Sequence, residues 1–313
     1  MKKALLPLAL ASLFPLSAMA DVVVYGKGNV SFQNANEADE SQLELVSNAS
    51  RIGLKGSEEI SSGLKAIYQF EYQTEVDDGS GSSGTFGQRN IYVGLQGSAG
   101  TIMGGKFDTP TKTAQEKIDL FNDLEGDLSY LVLGETRASN IVQYVTPAMG
   151  GLAANVALVT AEAGENADDG VSASITYTGS SFYLALASET DVSAQELDVT
   201  RLVGRFNLGS VQLGAMYEQA SIADLDSDAW LVSAKLSATE KLAYKVQYGN
   251  AGLEVVAQNV VVDVDRNQLS VGFDYALTKN TTLFGYYTAE SADVESTEVA
   301  DDNWVGLGLD LKF

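Results

Sequence analysis

The last eleven residues read Asn303-Trp304-Val305-Gly306-Leu307-Gly308-Leu309-Asp310-Leu311-Lys312-Phe313. Val305, Leu307, Leu309, Leu311 and Phe313 share one side of an extended chain; Trp304, Gly306, Gly308, Asp310 and Lys312 share the other. Apolar and polar positions that alternate with a period of two describe a β-strand. A strand with one wholly apolar face, ending on an aromatic residue, invites aggregation if it stands at an open sheet edge in water. In a closed membrane barrel the same strand is paired on both sides and its apolar face meets lipid. The alternative is the final strand of a secreted β-sandwich.

The opposite end of the chain favours the barrel. Lys2 and Lys3 precede an apolar stretch from Ala4 to Leu16, and Ala18-Met19-Ala20 has the small-x-small form of a cleavage site. This is the pattern of a secretory signal peptide over 1–20, predicting removal after Ala20 and a mature start at Asp21. No later apolar run reaches the 18 residues that a transmembrane helix requires, so an exported chain that enters a membrane does so with strands. Without Lys2 and Lys3, 17 basic side chains face 42 acidic ones. That balance argues against nucleic acid and anionic lipid surfaces as partners. There is no cysteine and no histidine. No disulfide framework is available, and the commonest general base and metal ligand is missing, so no enzyme, metal site or cofactor is expected. Mean hydropathy is near zero, as strands half in lipid and half in water require.

Strand-like segments are joined alternately by short and long connections. The short ones fall at 56–61, 97–100, 147–151, 178–181, 207–210, 237–240 and 277–280, each rich in turn formers. The long ones fall at 33–41, 76–85, 108–139, 161–170, 189–196, 221–226, 251–265 and 290–303. Seven plus eight connections predict an all-β, transmembrane, antiparallel 16-stranded barrel over 21–313, with strands of roughly 9–11 residues, turns in the periplasm and loops outside. Parity turns Val22, Val24, Val30, Phe32, Ile52, Leu54, Tyr68 and Phe70 to lipid. It turns Tyr25, Lys27, Asn29, Arg51, Lys55, Gln69, Glu71 and Gln73 to the lumen.

The connection at 108–139 is far longer than an ordinary loop, which points to function. It mixes apolar Ile118, Leu120, Phe121, Leu124 and Leu128 with Asp119, Asp123, Glu125 and Asp127. A loop in bulk water has no use for that apolar set, whereas one folded against the inner wall does; a helical surface cap is the other reading.

Several motifs resemble those of the general trimeric porins of Gram-negative bacterial outer membranes. They are Val24-Tyr25-Gly26-Lys27, Ser50-Arg51-Ile52-Gly53-Leu54-Lys55-Gly56, Gln69-Phe70-Glu71-Tyr72, Arg89 before Gly94-Leu95, Gly104-Gly105-Lys106-Phe107-Asp108-Thr109-Pro110, Leu120-Phe121 with Gly126-Asp127, Arg137 before Tyr144, and the terminal Phe313. In place of the family's common Pro-Glu-Phe-Gly-Gly tip stands Asp123-Leu124-Glu125-Gly126-Asp127.

The resemblance implies a third loop that narrows the pore. A basic wall of Lys27, Arg51, Arg89, Arg137 and Lys106, each on the lumen face by parity, would face the acids Asp119 and Asp123, with Glu125 and Asp127 nearby and Glu71 beside the wall. It implies a homotrimer in which 76–85 latches onto a neighbour through Asp77 and Asp78. It also implies a closing strand whose Leu309, Leu311 and Phe313 serve as the signal to the barrel assembly machinery. The surroundings would be outer-membrane lipid and lipopolysaccharide.

The function implied is a water-filled channel for passive diffusion of small hydrophilic solutes and ions. Alternatives are a solute-selective porin or a loop-mediated surface receptor or adhesin. Acidic runs at 36–40, 165–169, 224–228 and 295–302 predict weak cation selectivity, unless those acids are occupied by divalent cations.

Overall fold

The computed structural model describes residues 21–38, 40–78, 86–161, 169–257 and 260–313. The signal-peptide reading of 1–20, most of the expected latch at 76–85 and most of the acidic run at 165–169 lie outside those residues. The strand segments are β1 (Asp21–Glu37), β2 (Glu40–Ser47), β3 (Arg51–Ser61), β4 (Leu64–Gln73), β5 (Gly87–Gly97), β6 (Gly100–Asp108), β7 (Arg137–Val145), β8 (Leu152–Val159) and β9 (Gly170–Thr178). They continue as β10 (Phe182–Thr190), β11 (Leu197–Leu208), β12 (Val211–Ile222), β13 (Leu225–Ser237), β14 (Leu242–Ala257), β15 (Val260–Ala276), β16 (Thr281–Val294) and β17 (Thr297–Lys312).

These segments make a closed antiparallel barrel of sixteen staves. β2 and β3 are one stave, since both pair with β1, the first with its second half and the other with its first half. Between them the register steps by one residue at Asn48–Ser50, where Asn48 and Ser50 bond back to Asn29 and Ser31. Closure is made by β1 on β17, from Lys27 opposite Lys312 to Asn36 opposite Asn303. The last residue completes it: Gly26 N–H donates to the Phe313 carbonyl (2.9 Å) and Phe313 N–H to the Gly26 carbonyl (3.1 Å). The Phe313 ring lies across Gly26, where an added Cβ would sit 2.2 Å from it. Any larger residue at 26 would require the ring to move.

The outer face is apolar as parity predicts. Val24, Phe32, Leu54, Leu186, Leu202, Val232, Leu307 and Leu309 are all exposed on the isolated barrel. In lipid, each such side chain contributes about 1.5–3 kcal/mol relative to water. Near the short turns the outer face becomes aromatic: Tyr177 stacks on Phe182 (5.4 Å) and Phe182 on Phe206 (6.3 Å). This is the interfacial girdle of a membrane barrel.

Two sequence expectations change. The turn expected at 56–61 is strand, and the chain reverses at Ser62–Gly63 instead, with Gly63 at φ 79°. The connections expected as long loops at 33–41, 221–226, 251–265 and 290–303 are the ends of tall hairpins. β12 and β13 are joined by Ala223–Asp224 alone, and β16 and β17 by Glu295–Ser296 alone. Those turns use left-handed Ala223, Glu295 and Ser296 rather than glycine, so the usual turn signal is absent. β14 and β15 have 16 and 17 residues, about 50 Å at the rise of an extended strand, and stand well clear of an apolar band about 25 Å tall.

Candidate functional site: the loop against the inner wall

The long connection, 109–136, begins at Thr109, whose hydroxyl accepts from Lys112 N–H (3.2 Å) and caps the five-residue helix α1 (Pro110–Ala114). From there the backbone is tied to lumen-facing side chains strand after strand. Thr111 bonds Ser172 on β9, and Tyr183 of β10 donates to the Ala114 carbonyl (3.0 Å). Ser233 of β13 donates to the Ile118 carbonyl (2.6 Å), Gln247 of β14 to the Gly126 carbonyl (2.9 Å), and Gln268 of β15 to the Asp127 carbonyl (3.1 Å). Tyr130 then donates to the Ser291 carbonyl on β16 (3.3 Å). The segment is thus bonded in turn to β9, β10, β13, β14, β15 and β16.

Its apolar side chains account for the path. Ile118, Phe121 and Leu128 are fully buried. Ile118, Leu128 and Leu131 pack against inward Val203, Met216 and Leu231, while Phe121 packs with Phe284, Tyr286 and Trp304. The wall is cut to receive them: an added Cβ on Gly249 would stand 2.3 Å from Leu131.

The strongest ionic tie was not anticipated from sequence. Arg201, on β11, has no exposed surface. Its guanidinium meets Glu218 of β12 at 2.6 Å and Glu135 of the loop at 2.7 Å, and Lys112 lies 3.4 Å from Glu135. Glu218 also accepts the backbone N–H groups of Leu133 (2.7 Å) and Gly134 (3.2 Å). A buried charge is tolerated only when paired and hydrogen-bonded in this way.

Across the lumen the loop reaches the basic wall. Asp123, at φ 65°, lies 2.9 Å from Lys27 Nζ, bonds Arg51, and stands 3.9 Å from Arg89. Burial alone would raise its carboxyl, but Arg51, Lys27 and Arg89 outweigh burial and hold it below the ordinary carboxylate range. Arg89 also pairs with Glu71 (3.2 Å) and donates to Gln73 (2.8 Å), and Tyr25 donates to Glu71 (3.0 Å). Arg137 pairs with Asp108 (2.9 Å). Between loop and wall is a polar cavity of about 430 Å³, lined by Arg51, Arg89, Arg137 and Lys112 and by Asp108, Glu116, Asp123, Asp127 and Glu135.

The structure thus brings Lys27, Arg51, Arg89, Arg137, Glu71, Asp123 and Asp127 together. For Arg89 simple parity is not the reason. Counted from lipid-facing Val93, it would point outward; a bulge opposite Phe70 and Tyr72 re-aims it.

Lys106 does not belong to the cluster. Its register partner is Ile91, and it shares the face of Ile102 and Gly104, which lies opposite lipid-facing Val93. Asp119 does not face the basic wall either. It is turned into the loop, accepting from the N–H groups of Phe121 (3.0 Å) and Leu128 (3.2 Å) and from Gln247 (3.2 Å). Burial, then the Asp127 charge, pushes its carboxyl up to about 7 against those three donors. Asp127 caps the short turn Leu128–Tyr130 and accepts from Asp123 N–H (2.9 Å). Glu125 points the other way, accepting from Gln33 (2.8 Å), with Glu37 and Glu44 nearby. Burial, partly opposed by the Gln33 bond, raises its carboxyl, and those two acids add to the rise. Lys112, Glu116 and Asp108 were missed: each lies at or just inside the root of the loop, where no strand parity applies.

The family model described as Gram-negative porin matches residues 7–295. The major outer membrane protein P.IB of Neisseria meningitidis serogroup B is 26% identical over 343 aligned residues, covering all of both chains. An anion-selective porin from Comamonas acidovorans superposes with a TM-score of 0.78 at 20% identity, covering 94% of this chain and 100% of its own. The trimer form of OmpT, an outer membrane protein of Vibrio cholerae, superposes at 0.69 with 16% identity, covering 93% and 99%.

Proposed function

The chain belongs to the Gram-negative porin family, an outer-membrane channel rather than an enzyme, and on that premise we propose that 109–136 constricts its pore and that the channel is weakly cation-selective. The observation that supports the constriction is Asp123 bonded to Lys27 and Arg51 while the same loop is tied to β9–β16 on the other side. A barrel of sixteen staves has an aqueous lumen; a loop held at both walls leaves the cavity beside it as the narrow passage. Small hydrophilic solutes pass there by diffusion, and apolar solutes, which cannot replace ordered water around the fixed charges, are penalised.

The sign of the selectivity follows from how the charges are compensated. Asp123 answers Lys27 and Arg51, Glu71 answers Arg89, Asp108 answers Arg137, Glu135 answers Lys112, and Glu116 answers Arg205 at 2.8 Å. The aperture is close to neutral. Above it, toward the long-loop end, Glu44, Glu125, Glu290 and Asp302 interact with one another, and among the described residues Arg266 is the cation beside them. Their field reaches about a Debye length, ~10 Å at 0.1 M salt, and raises the local cation concentration. A homotrimer is part of the proposal, supported by the trimeric form of the Vibrio neighbour. The test is the reversal potential in a KCl gradient. A modest cation preference that fades as salt rises is expected; anion preference in dilute KCl would refute the reading and assign control to the arginines.

A further inference from the structure

The charges inside the barrel are sorted along its length, with the docked loop as the divide. β14 begins at the short-turn end, and its Lys245 comes two residues before Gln247, whose side chain holds the loop at Gly126. The Lys245 ammonium lies beneath the loop, 4.7 Å from the centre of the Phe121 ring. Lys235 of β13 is its register partner. Both lysines share one carboxylate, Asp274, at 2.9 and 3.7 Å. On the other wall Lys55 follows Arg51 by four positions, about 13 Å down the strand. Lys65 stands near the Ser62–Gly63 turn, opposite Glu59. Lys312 lies beside the 277–280 turn, its N–H donating to the Asn280 carbonyl (2.9 Å), while Asp310 is 3.9 Å from Lys27. The lysines of this lower vestibule outnumber its carboxylates. Above the loop the sign is reversed. Glu37 and Glu40 are register partners, Glu44 stands opposite Gln33, and Glu290 opposite Asp302. Glu44 and Lys55 lie on one stave, about 30 Å apart at the rise of an extended strand. At 0.1 M salt that is about three Debye lengths, so neither set cancels the other.

We infer that this lengthwise separation makes the pore a weak ionic rectifier, in which the lysines beneath the loop set the direction of easier flow. Cations gather at the acidic outer vestibule and anions at the basic inner one. When the extracellular side is positive, both stores are driven toward the loop and carriers accumulate in the narrow passage. When it is negative, both are drawn away and the passage is depleted. Small cationic solutes thus enter, and small anionic solutes leave, more readily than the reverse. The inference rests on the channel reading and adds a polarity that the reading does not require.

The test is the open-channel current of the whole reconstituted protein in symmetric KCl at pH 8, read at equal voltages of either sign. Orientation is fixed with Ser62→Cys, since the chain has no other cysteine; biotin attached there shows which chamber holds the short turns by its response to streptavidin. In 0.1 M KCl the current with the extracellular side positive should be about 1.5-fold the current of opposite sign. In 1 M KCl, where the Debye length falls to about 3 Å, the ratio should return to about one. Lys55→Glu with Lys65→Glu should abolish or invert the ratio in 0.1 M KCl. Lys235→Glu, on a separate stave, should lower it if the double variant fails to assemble. A symmetric current in 0.1 M KCl, a ratio of opposite sign, or one that persists in 1 M KCl or in the substituted channels would overturn the inference. Absence of ohmic steps in KCl would instead overturn the channel reading, so the two failures are distinguishable.

Discussion

Arg201→Met is the substitution that most directly separates the loop from the barrel. The barrel itself is held by the strand ladders around its circumference and should still close. What changes is the docking of 109–136. The substitution leaves Glu218 and Glu135 buried without the guanidinium that they meet at 2.6 and 2.7 Å. Breaking a buried pair by removing one partner costs about 3–5 kcal/mol. The low end applies, because Glu218 keeps the N–H groups of Leu133 and Gly134 and Glu135 keeps Lys112 at 3.4 Å. About 3 kcal/mol on the docking equilibrium is roughly a hundredfold rise in the undocked fraction.

Two measurements read that rise. Single-channel records of the variant should show frequent excursions to a higher conductance that the parent channel lacks. Limited trypsin treatment of the folded protein should cut after Lys112 or Lys117, sites that a docked loop protects. Replacing all three members, Arg201→Met with Glu135→Gln and Glu218→Gln, removes the uncompensated charges while keeping an acceptor for the Leu133 and Gly134 N–H groups, and should restore quiet records. If Arg201→Met alone is as quiet and as protease-resistant as the parent, the network does not hold the loop and the reasoning fails.

Asp123→Asn leaves Lys27 and Arg51 without their partner, so cation preference should fall, whereas Lys106→Ala, on the outer face, should leave the reversal potential unchanged. Gly26→Val should displace the Phe313 ring that lies across it and lower the amount of heat-modifiable barrel in the outer membrane, as deletion of Phe313 should; normal yield of both would remove Phe313 from assembly. The Asp119 carboxyl, raised to about 7 when docked and near 3.9 when free, binds more protons in the docked state. Docking therefore weakens as pH rises from about 4 to 7 and is flat above. Excursions in Arg201→Met records should accordingly be fewer at pH 5 than at pH 8, and the reverse trend would show that another group governs the loop.

The sequence made the barrel legible because lipid on one face and water on the other impose alternation on every stave, as in Val305 through Phe313. It made the loop legible because Ile118, Phe121 and Leu128 had no place in water. Other features were not legible. The bulge that re-aims Arg89 depends on how β4 and β5 register, which no property of Arg89 itself encodes. Lys106 reads as part of a motif but sits across from Ile91, so resemblance and geometry part company at that residue. The tall hairpins end on left-handed Ala223, Glu295 and Ser296, whose conformation is fixed by strand twist rather than by residue preference.

The Arg201 network was hidden for a related reason, and that reason explains the asymmetry of the barrel. An inward Arg flanked by inward Val199 and Val203 looks, in one strand, like a lone hydrated charge. Its meaning appears only when β12 brings Glu218 opposite it and the loop brings Glu135 from 66 positions away. The same docking accounts for the apolar inner face of β11–β14, which parity alone assigns to water. A wall that must bind a loop cannot also be uniformly polar, because the loop's apolar residues need partners that exclude water. Of the staves that carry the basic side chains, β1 presents buried Asn29, Ser31 and Gln33 inside beside Lys27, whereas β7, which carries Arg137, also buries Ala138 and Ile141 in a small cluster with Phe107. On the proposed constriction, one side of the lumen holds the loop and the other is left to permeation.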